Sequence, residues 1–242
     1  MRRLFTVGTA QPKGAKSLAH KVLTMVLHLA PARESGWNVC PKHTKGCAGC
    51  CLHFQGRSGI LVAGETSNAI RDARLERTRL LFTQRRWFHA RLQIEIASAY
   101  RRLLRGWELA IRPNGTSDLV RFAGDVAAPW RERSRIHFYD YTKVPSALSF
   151  ADGVHRTFSR SESNEPACLS RLWEGGNVAV VFDTPRHGVL PATWHGYRVI
   201  DGDVTDLRYR DPSNVIVGLR AKGTARRDTT GFVVRTEGRS TL

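Results

Sequence analysis

The chain has 242 residues, of which 41% are hydrophobic and 24% charged, an ordinary composition for a folded domain that argues against a disordered protein. Its 38 Lys and Arg residues outnumber 21 Asp and Glu residues, so the net charge is +17 at pH 7. A positive field of this size attracts polyanions, and it favours nucleic acid (DNA or RNA) as a partner over a merely solvated basic surface. No stretch approaches the roughly 18–20 apolar residues of a membrane-spanning helix, so we expect no membrane partner.

The pattern along the chain predicts a flexible arm followed by one domain. Residues 1–20 are mixed in character and predict the flexible N-terminal arm, and residues 21–242 predict a single α/β barrel-like domain. Residues 21–30 are an apolar run rich in β-branched residues that a proline ends, which predicts a buried first strand. A Gly-rich loop at 35–59 follows, and apolar residues spaced three and four apart predict two helices within 68–105.

Arginines crowd the polar faces of these two predicted helices. Only Asp72, Glu76 and Glu95 oppose them. Two interpretations stay open, a nucleic-acid-binding surface and an ordinary solvated helix face. The arginines are Arg71, Arg74, Arg77, Arg79, Arg85, Arg86, Arg91, Arg101, Arg102 and Arg105.

Beyond residue 108 the pattern changes to short strands separated by turns or short helices. A helix is predicted at 165–173, closed by a pair of glycines. Strands are predicted at 109–112, 136–141, 155–159, 177–182, 197–200 and 215–219. The alternation favours an α/β fold with a parallel sheet, and the count of about seven strands fits a TIM-like parallel barrel, complete or incomplete, better than an open sheet. The cysteine-rich loop would then follow the first barrel strand.

Four of the five cysteines lie within twelve residues, at Cys40, Cys47, Cys50 and Cys51. A secreted disulfide scaffold would spread its cysteines and pair them evenly, so the cluster indicates a reducing cytoplasm. Clustered thiolates are typical ligands of zinc and of iron–sulfur clusters. The fifth cysteine, Cys168, lies on a predicted helix, and we expect it to pack in the core.

The spacing leaves the nature of the cysteine site open. Cys40 and Cys47 could act with either Cys50 or Cys51, and His43 or His53 could complete a structural zinc site. A three-cysteine iron–sulfur cluster would leave one iron open for a small molecule. The spacing matches neither a zinc ribbon nor the tight loop of most radical S-adenosylmethionine enzymes, but a position after the first strand of an incomplete barrel is the radical-enzyme arrangement. A reversible disulfide and unmetallated thiols are the remaining interpretations.

The ends of the predicted strands are unusually polar. In parallel α/β folds, the chemistry gathers at the carboxyl ends of the strands, where these side chains would meet. Taken singly, each residue also fits a helix cap, a turn or a buried ion pair. Taken together, they offer acids, a general base and cationic anchors for phosphate. They are Asn114, Asp118, Asp140, Lys143, Ser159, Asp201 and Lys222.

Several motifs resemble those of a family of phage and prophage proteins. They include Cys40-Pro followed by Cys47 and Cys51, the Asn-Gly-Thr-Ser-Asp sequence at 114–118 and the Phe-Tyr-Asp-Tyr-Thr-Lys sequence at 138–143. That family is distantly similar to the phage gene product eighty-eight group. The resemblance runs through nearly the whole chain. It implies a phage context and the triplet Cys40, Cys47 and Cys51, with Cys50 as an extra cysteine, and it carries no activity over.

Our first functional hypothesis is a phage-encoded enzyme that acts on nucleic acid or nucleotides. It would modify a base by radical S-adenosylmethionine chemistry or by base exchange. Cys40, Cys47 and Cys51 would hold an iron–sulfur cluster or zinc, with S-adenosylmethionine as cofactor in the radical case. The catalytic or substrate-orienting groups would be Asp118, Asp140 and Lys143. The substrate-binding residues would be Asn114, Ser159, Asp201, Lys222, Arg74 and Arg77.

The second hypothesis is a nucleic-acid-binding protein without catalysis. Zinc would only brace the cysteine loop, and the arginine-rich helices would hold a single strand. Trp87, Phe88 and Trp107 could stack on bases if they are exposed. A phage factor that binds an acidic host protein is a third hypothesis.

Overall fold

The structure is a computed structural model that describes residues 3–10, 12–61, 63, 65–149 and 151–236. The chain forms a mixed α/β fold around one nine-stranded sheet. In chain order its strands are Phe5–Val7 (β1), Val22–Leu27 (β2), Glu108–Arg112 (β3), Ile136–Thr142 (β4), Val154–Ser159 (β5), Val178–Phe182 (β6), Thr193–Trp194 (β7), Tyr197–Asp201 (β8) and Ile216–Arg220 (β9).

Six α-helices accompany the strands in the described ranges. They are Pro12–Leu18 (α1), Lys45–Gly49 (α2), Ala69–Thr83 (α3), Arg85–Arg101 (α4), Val120–Ala127 (α5) and Glu165–Trp173 (α6). All seven predicted strands and the three predicted helices are present, with bounds that shift by a few residues. The stretch assigned from the sequence to a flexible arm contains β1 and α1. None of the described helices is both long enough and apolar enough to cross a membrane.

Seven of the nine strands, β2 to β6 with β8 and β9, run parallel. The order across the sheet is β1-β2-β3-β4-β5-β6-β9-β8-β7. The barrel that the strand count favoured is not confirmed, because the sheet of the described residues is open. Closure would need β2 to pair with a strand from the far side, but its outer edge is taken by antiparallel β1, with Phe5 opposite Leu27. The other edge carries the short antiparallel hairpin of β7 and β8.

One face of the sheet is covered by α3 to α6. Alternate residues of a strand point to the same face, and Leu109 and Ile111 of β3 share this face with Ile136 and Phe138 of β4. These side chains pack against α4 and α5 in one apolar cluster. The next cluster along the sheet joins β5 and β6 to α6. Each fully buried aliphatic or aromatic side chain of this kind contributes about 1.5–3 kcal/mol to folding.

The opposite face is covered by the segment between β8 and β9. Its Leu207 packs with Val22, Ala110 and Tyr139. The carboxylate of Asp206 accepts hydrogen bonds from the hydroxyls of Tyr139 (3.3 Å) and Tyr141 (3.1 Å) and pairs with Arg112 Nη1 at 3.3 Å. The segment therefore crosses back over β3 and β4 and holds the Arg112 guanidinium at the carboxyl end of β3.

We predict that Asp206→Ala lowers the free energy of unfolding by about 3 kcal/mol, because it removes the acceptor of the Tyr139 and Tyr141 hydroxyls and one of the two carboxylates beside the largely buried Arg112 guanidinium. Urea unfolding followed by circular dichroism measures the change. The matched control is Asp125→Ala, whose ion pair with Arg85 is exposed, and a change below about 1 kcal/mol is expected there. Equal losses in the two variants would contradict the role assigned to Asp206.

Candidate active site

The cysteine loop leaves β2 and returns to the carboxyl edge of the sheet through the short helix α2. Thr44 caps this helix, and its hydroxyl oxygen accepts a hydrogen bond of 3.2 Å from the Cys47 amide. An oxygen-bearing cap satisfies an amide that the first helical turn leaves unpaired. The sequence Thr44-Lys-Gly-Cys47 thus fixes the backbone of Cys47 within a single turn.

Glu162, in the loop after β5, binds this turn to the sheet. One carboxylate oxygen accepts from the Gly46 amide and the other from the Thr44 hydroxyl, each at 2.7 Å. Position 46 has no room for a larger residue, because a Cβ atom there would collide with Thr230 and Phe232 of the C-terminal segment. The Cys47 turn is therefore held from both sides at the carboxyl end of β5.

Three of the thiols form one electrostatic group. Burial, together with the charges of Cys51, Asp118 and Cys47 and against a hydrogen bond from the Ala32 amide, raises the pKa of Cys40 to about 12. Burial also raises the pKa of Cys51, with Cys47 acting in the same direction. The Cys40 thiol lies 3.7 Å from the Thr116 carbonyl oxygen, to which it donates. All three thiols are free and not joined in disulfides.

Cys50 belongs to different surroundings. Burial raises its pKa to about 12, with the charge and hydrogen bond of the Asp228 carboxylate and the charge of Cys47 acting in the same direction. It packs in a small cluster with Ala221, Ala225 and Val233. The remaining cysteine, Cys168, is fully buried in the α6 cluster, which confirms its expected core position.

The donor set suits a thiophilic metal, but the site is not preassembled. Within the described ranges, no three Cys, His, Asp or Glu side chains are arranged to hold one metal ion. The two histidines considered as fourth ligands have partners at Nδ1: Arg74 Nη1 lies 3.0 Å from His53, and the Cys40 carbonyl oxygen 2.6 Å from His43. A metal ion would have to draw the three thiols together and displace their protons.

Four polar residues predicted at the strand ends meet beside this loop. Asn114 Nδ2 donates to Asp140 Oδ2 at 2.7 Å, and the Lys143 amide donates to Asp118 Oδ2 at 2.8 Å. The Asp118 amide donates in turn to the carbonyl of Val39, the residue before Cys40. The loops after β2, β3 and β4 are thereby joined at one edge, as the sequence predicted.

The carboxyl group of Asp140 has a pKa close to neutral pH. Burial raises its pKa to about 7, although Arg112 and the Asn114 amide favour the charged form and hold the shift down. Burial also raises the pKa of Asp118, against the hydrogen bonds from Lys143 and Thr142. Two carboxyl groups with raised pKa values therefore share this edge with the thiols.

The charges of three guanidinium groups act on His28, the residue that follows β2. Burial, together with the charges of Arg74, Arg112 and Arg77 and against that of Asp206, lowers the pKa of His28 to about 3. The side chain of Arg74 faces inward, where it hydrogen-bonds to His53, while burial lowers its pKa to about 10. His28 and Arg112 were not among the site residues predicted from the sequence. His28 is a polar residue within the first apolar run, and Arg112 ends a predicted strand, so both positions could have indicated a site at the sheet edge.

The other predicted site residues have structural partners elsewhere on the edge. Asp201 accepts from Arg220 Nη1 at 2.9 Å, and Lys222 Nζ lies 2.7 Å from an Asp203 carboxylate oxygen, at the ends of β8 and β9. Ser159 ends β5, and its carbonyl accepts from Asn164 Nδ2 at 2.9 Å. These residues form ion pairs and turns outside the group that joins Asn114 to the cysteine loop.

We predict that stability depends on pH through Asp140. The unfolded chain releases this proton at about pH 4, whereas the folded chain keeps it up to about pH 7. Between these values the folded state binds more protons, so the free energy of unfolding falls as pH rises. Asp140→Asn lacks this dependence, so its stability relative to wild type increases from about pH 5 to about pH 8 in urea unfolding.

The control for this measurement is Asp125→Asn on the exposed face of α5. It removes one charge from an exposed ion pair and so measures the effect of losing a carboxylate that is not buried. A difference between Asp140→Asn and wild type that stays constant over the same range would refute the raised pKa of Asp140.

A family model described as Gene product 88 matches residues 3–236, nearly the whole chain. No curated protein and no solved structure matches.

Proposed function

The chain therefore belongs to the gene product 88 family, and we propose that it is a thiolate-ligated metalloenzyme that acts on nucleic acid or nucleotides. The observation that carries the proposal is the electrostatic group of Cys40, Cys47 and Cys51 at the carboxyl edge of a parallel sheet. Active sites of parallel α/β proteins lie at this edge. The phage relationship drawn from the sequence motifs agrees with the family match.

The three thiols would hold an iron–sulfur cluster or a zinc ion. An iron–sulfur cluster would supply electrons, with S-adenosylmethionine as cofactor, and zinc would supply a Lewis acid. Cys50 hydrogen-bonds to Asp228 and packs in a cluster of its own, and of the other three clustered cysteines it is Cys47 whose charge acts on it; its contact with Asp228 supports a three-cysteine set over a four-cysteine set. A site of free thiols also requires a reducing compartment, which supports the host cytoplasm as the place of action.

The protein's own residues would supply proton transfer and substrate orientation. A pKa of about 7 lets Asp140 gain or lose a proton at neutral pH, the condition for efficient general acid–base catalysis. Asn114 fixes the orientation of this carboxyl through its 2.7 Å hydrogen bond. Asp118 holds the backbone of Lys143, whose ammonium lies 5.8 Å from the centre of the Phe232 ring. We assign Asp118 and Lys143 to orienting the substrate.

The charge of the site supports an anionic substrate. Arg74 and Arg77 act on the same buried histidine beside the cysteine loop, and we assign them to phosphate groups. Ser159, Asp201 and Lys222 lie further along the edge, where they could contact a longer nucleic acid. Modification of a base is the reaction class we propose for this combination.

The second candidate function is nucleic-acid binding without catalysis, with zinc only bracing the loop. The exposed arginines of α3 and α4 favour it, because they form a basic surface away from the thiols. The exposed ones are Arg79, Arg85, Arg86 and Arg101, followed by Arg102 and Arg105 just beyond α4.

Anaerobic purification with metal and acid-labile sulfide analysis tests the metal assignment. We expect about one metal centre per chain and its loss in Cys40→Ser, Cys47→Ser and Cys51→Ser, because each removes one thiolate ligand. Cys50→Ser and Cys168→Ser are matched controls that should keep the metal. Labile sulfide with visible absorption identifies a cluster, whereas a colourless zinc protein favours the second function.

A wild-type protein that contains neither metal nor sulfide, and takes up none on anaerobic reconstitution, would refute the metalloenzyme. Loss of metal in Cys50→Ser but not in Cys51→Ser would refute the ligand assignment.

A further inference from the structure

Two aromatic side chains stack on each other at the surface, beside the cysteine loop. The rings of Trp37 and Phe82 are parallel within 1°, with centroids 5.2 Å apart. Trp37 is 36% exposed and Phe82 is 42% exposed. Trp37 lies three residues before Cys40, and Phe82 lies in the last turn of α3. The pair therefore joins the arginine-rich helix to the loop that carries the proposed metal ligands.

These rings are better placed for stacking on bases than the aromatic residues predicted from the sequence. Phe88 is fully buried, and Trp87 packs against the main core. Trp107 is half-buried beside an apolar groove. Among the six tryptophans, all of which the structure describes, only Trp37 and Trp173 are at least one-third exposed.

Arginines flank the aromatic pair. Arg79 lies one turn before Phe82 on α3, and Arg86 lies in the first turn of α4. Arg33 begins the turn that carries Trp37, and its carbonyl accepts from the Gly36 amide at 2.9 Å. All three arginines are exposed, and none has an ion pair among the described residues. Glu34 is the acidic residue next to them in the turn.

We propose that Trp37 and Phe82 form a base-stacking platform for single-stranded nucleic acid, with phosphates contacted by Arg33, Arg79 and Arg86. Stacking on an exposed aromatic ring needs an unpaired base, which a duplex does not offer. The flanking arginines and the net charge of +17 select a polyanion. The inference rests on the proposed function for its substrate, and it narrows that substrate to single-stranded nucleic acid. Because Trp37 and Cys40 share one loop, the platform would act on the same substrate as the proposed metal site.

The test is fluorescence anisotropy of a dye-labelled oligothymidylate of about 15 nucleotides, a length within the range that single-strand-binding folds cover. Trp37→Leu and Phe82→Leu keep apolar contact across the pair but remove the stack, and each should weaken binding about tenfold. Trp173→Leu, at an exposed tryptophan on the end of α6, is the matched control and should bind like wild type. Thermal melting by circular dichroism establishes that each variant folds.

Three further measurements test the class of ligand. The double variant Arg79→Gln with Arg86→Gln should weaken binding and flatten its salt dependence, because fewer counterions are released. A duplex of the same length should bind more weakly than the single strand. Polyglutamate of equal charge should compete poorly, since it has no bases to stack.

Unchanged affinity in folded Trp37→Leu and Phe82→Leu would overturn the platform, as would equal affinity for duplex or for polyglutamate. These outcomes would not contradict the proposed metal site, because metal content is measured in a separate experiment. A wild-type protein that holds metal but binds no oligonucleotide would overturn both the platform and the choice of nucleic acid as substrate.

Discussion

The hydrogen bonds from Thr44 and Gly46 to Glu162 are the interaction on which the rest of the site depends. They join the loop after β2 to the loop after β5, two elements far apart in sequence, and fix the helical turn that carries Cys47. Without this connection, the Cys47 turn would lose its contact with the loop after β5, while the hydrogen bond from the Asp118 amide to the Val39 carbonyl would still hold the Cys40 end of the loop. With it, a short charged contact brings Cys47 into the electrostatic range of Cys40 and Cys51.

The site combines buried thiols and carboxyl groups of raised pKa with several guanidinium groups. Burial keeps the Cys40 and Cys51 thiols protonated near neutrality and leaves the Asp140 carboxyl close to half-protonated, beside the positive charges of Arg74, Arg77 and Arg112. Such an arrangement is poised to take up a cation at the thiols and an anion at the arginines. The stacked rings of Trp37, in the cysteine loop, and Phe82, at the end of α3, would add base stacking beside arginines that supply positive charge.

Sequence patterns predicted the parallel strands well, because buried strands between turns and helices leave a clear hydrophobic signal. The edge strands β1 and β7 are too short for such a signal, and they are what leaves the sheet open. The polar residues at the ends of the predicted strands indicated that Asn114 and Asp140 would lie close together. Nothing local predicted that Asp228 would bind Cys50, that Glu162 would hold the cysteine turn, or that Trp37 would be exposed. Each of these depends on which distant residues come into contact.

The most direct test of the central claim is X-ray absorption at the metal edge of anaerobically reconstituted protein. For zinc, the account predicts a shell of three thiolate sulfur atoms at about 2.3 Å. For a cluster, in which each ligated iron binds one cysteine, it predicts an iron–sulfur shell with three thiolates per cluster once the sulfide is counted by chemical analysis. One thiolate per zinc or per cluster should be lost in Cys51→Ser and none in Cys50→Ser. A shell of nitrogen and oxygen alone, or a sulfur count that falls with Cys50 and not with Cys51, would contradict it.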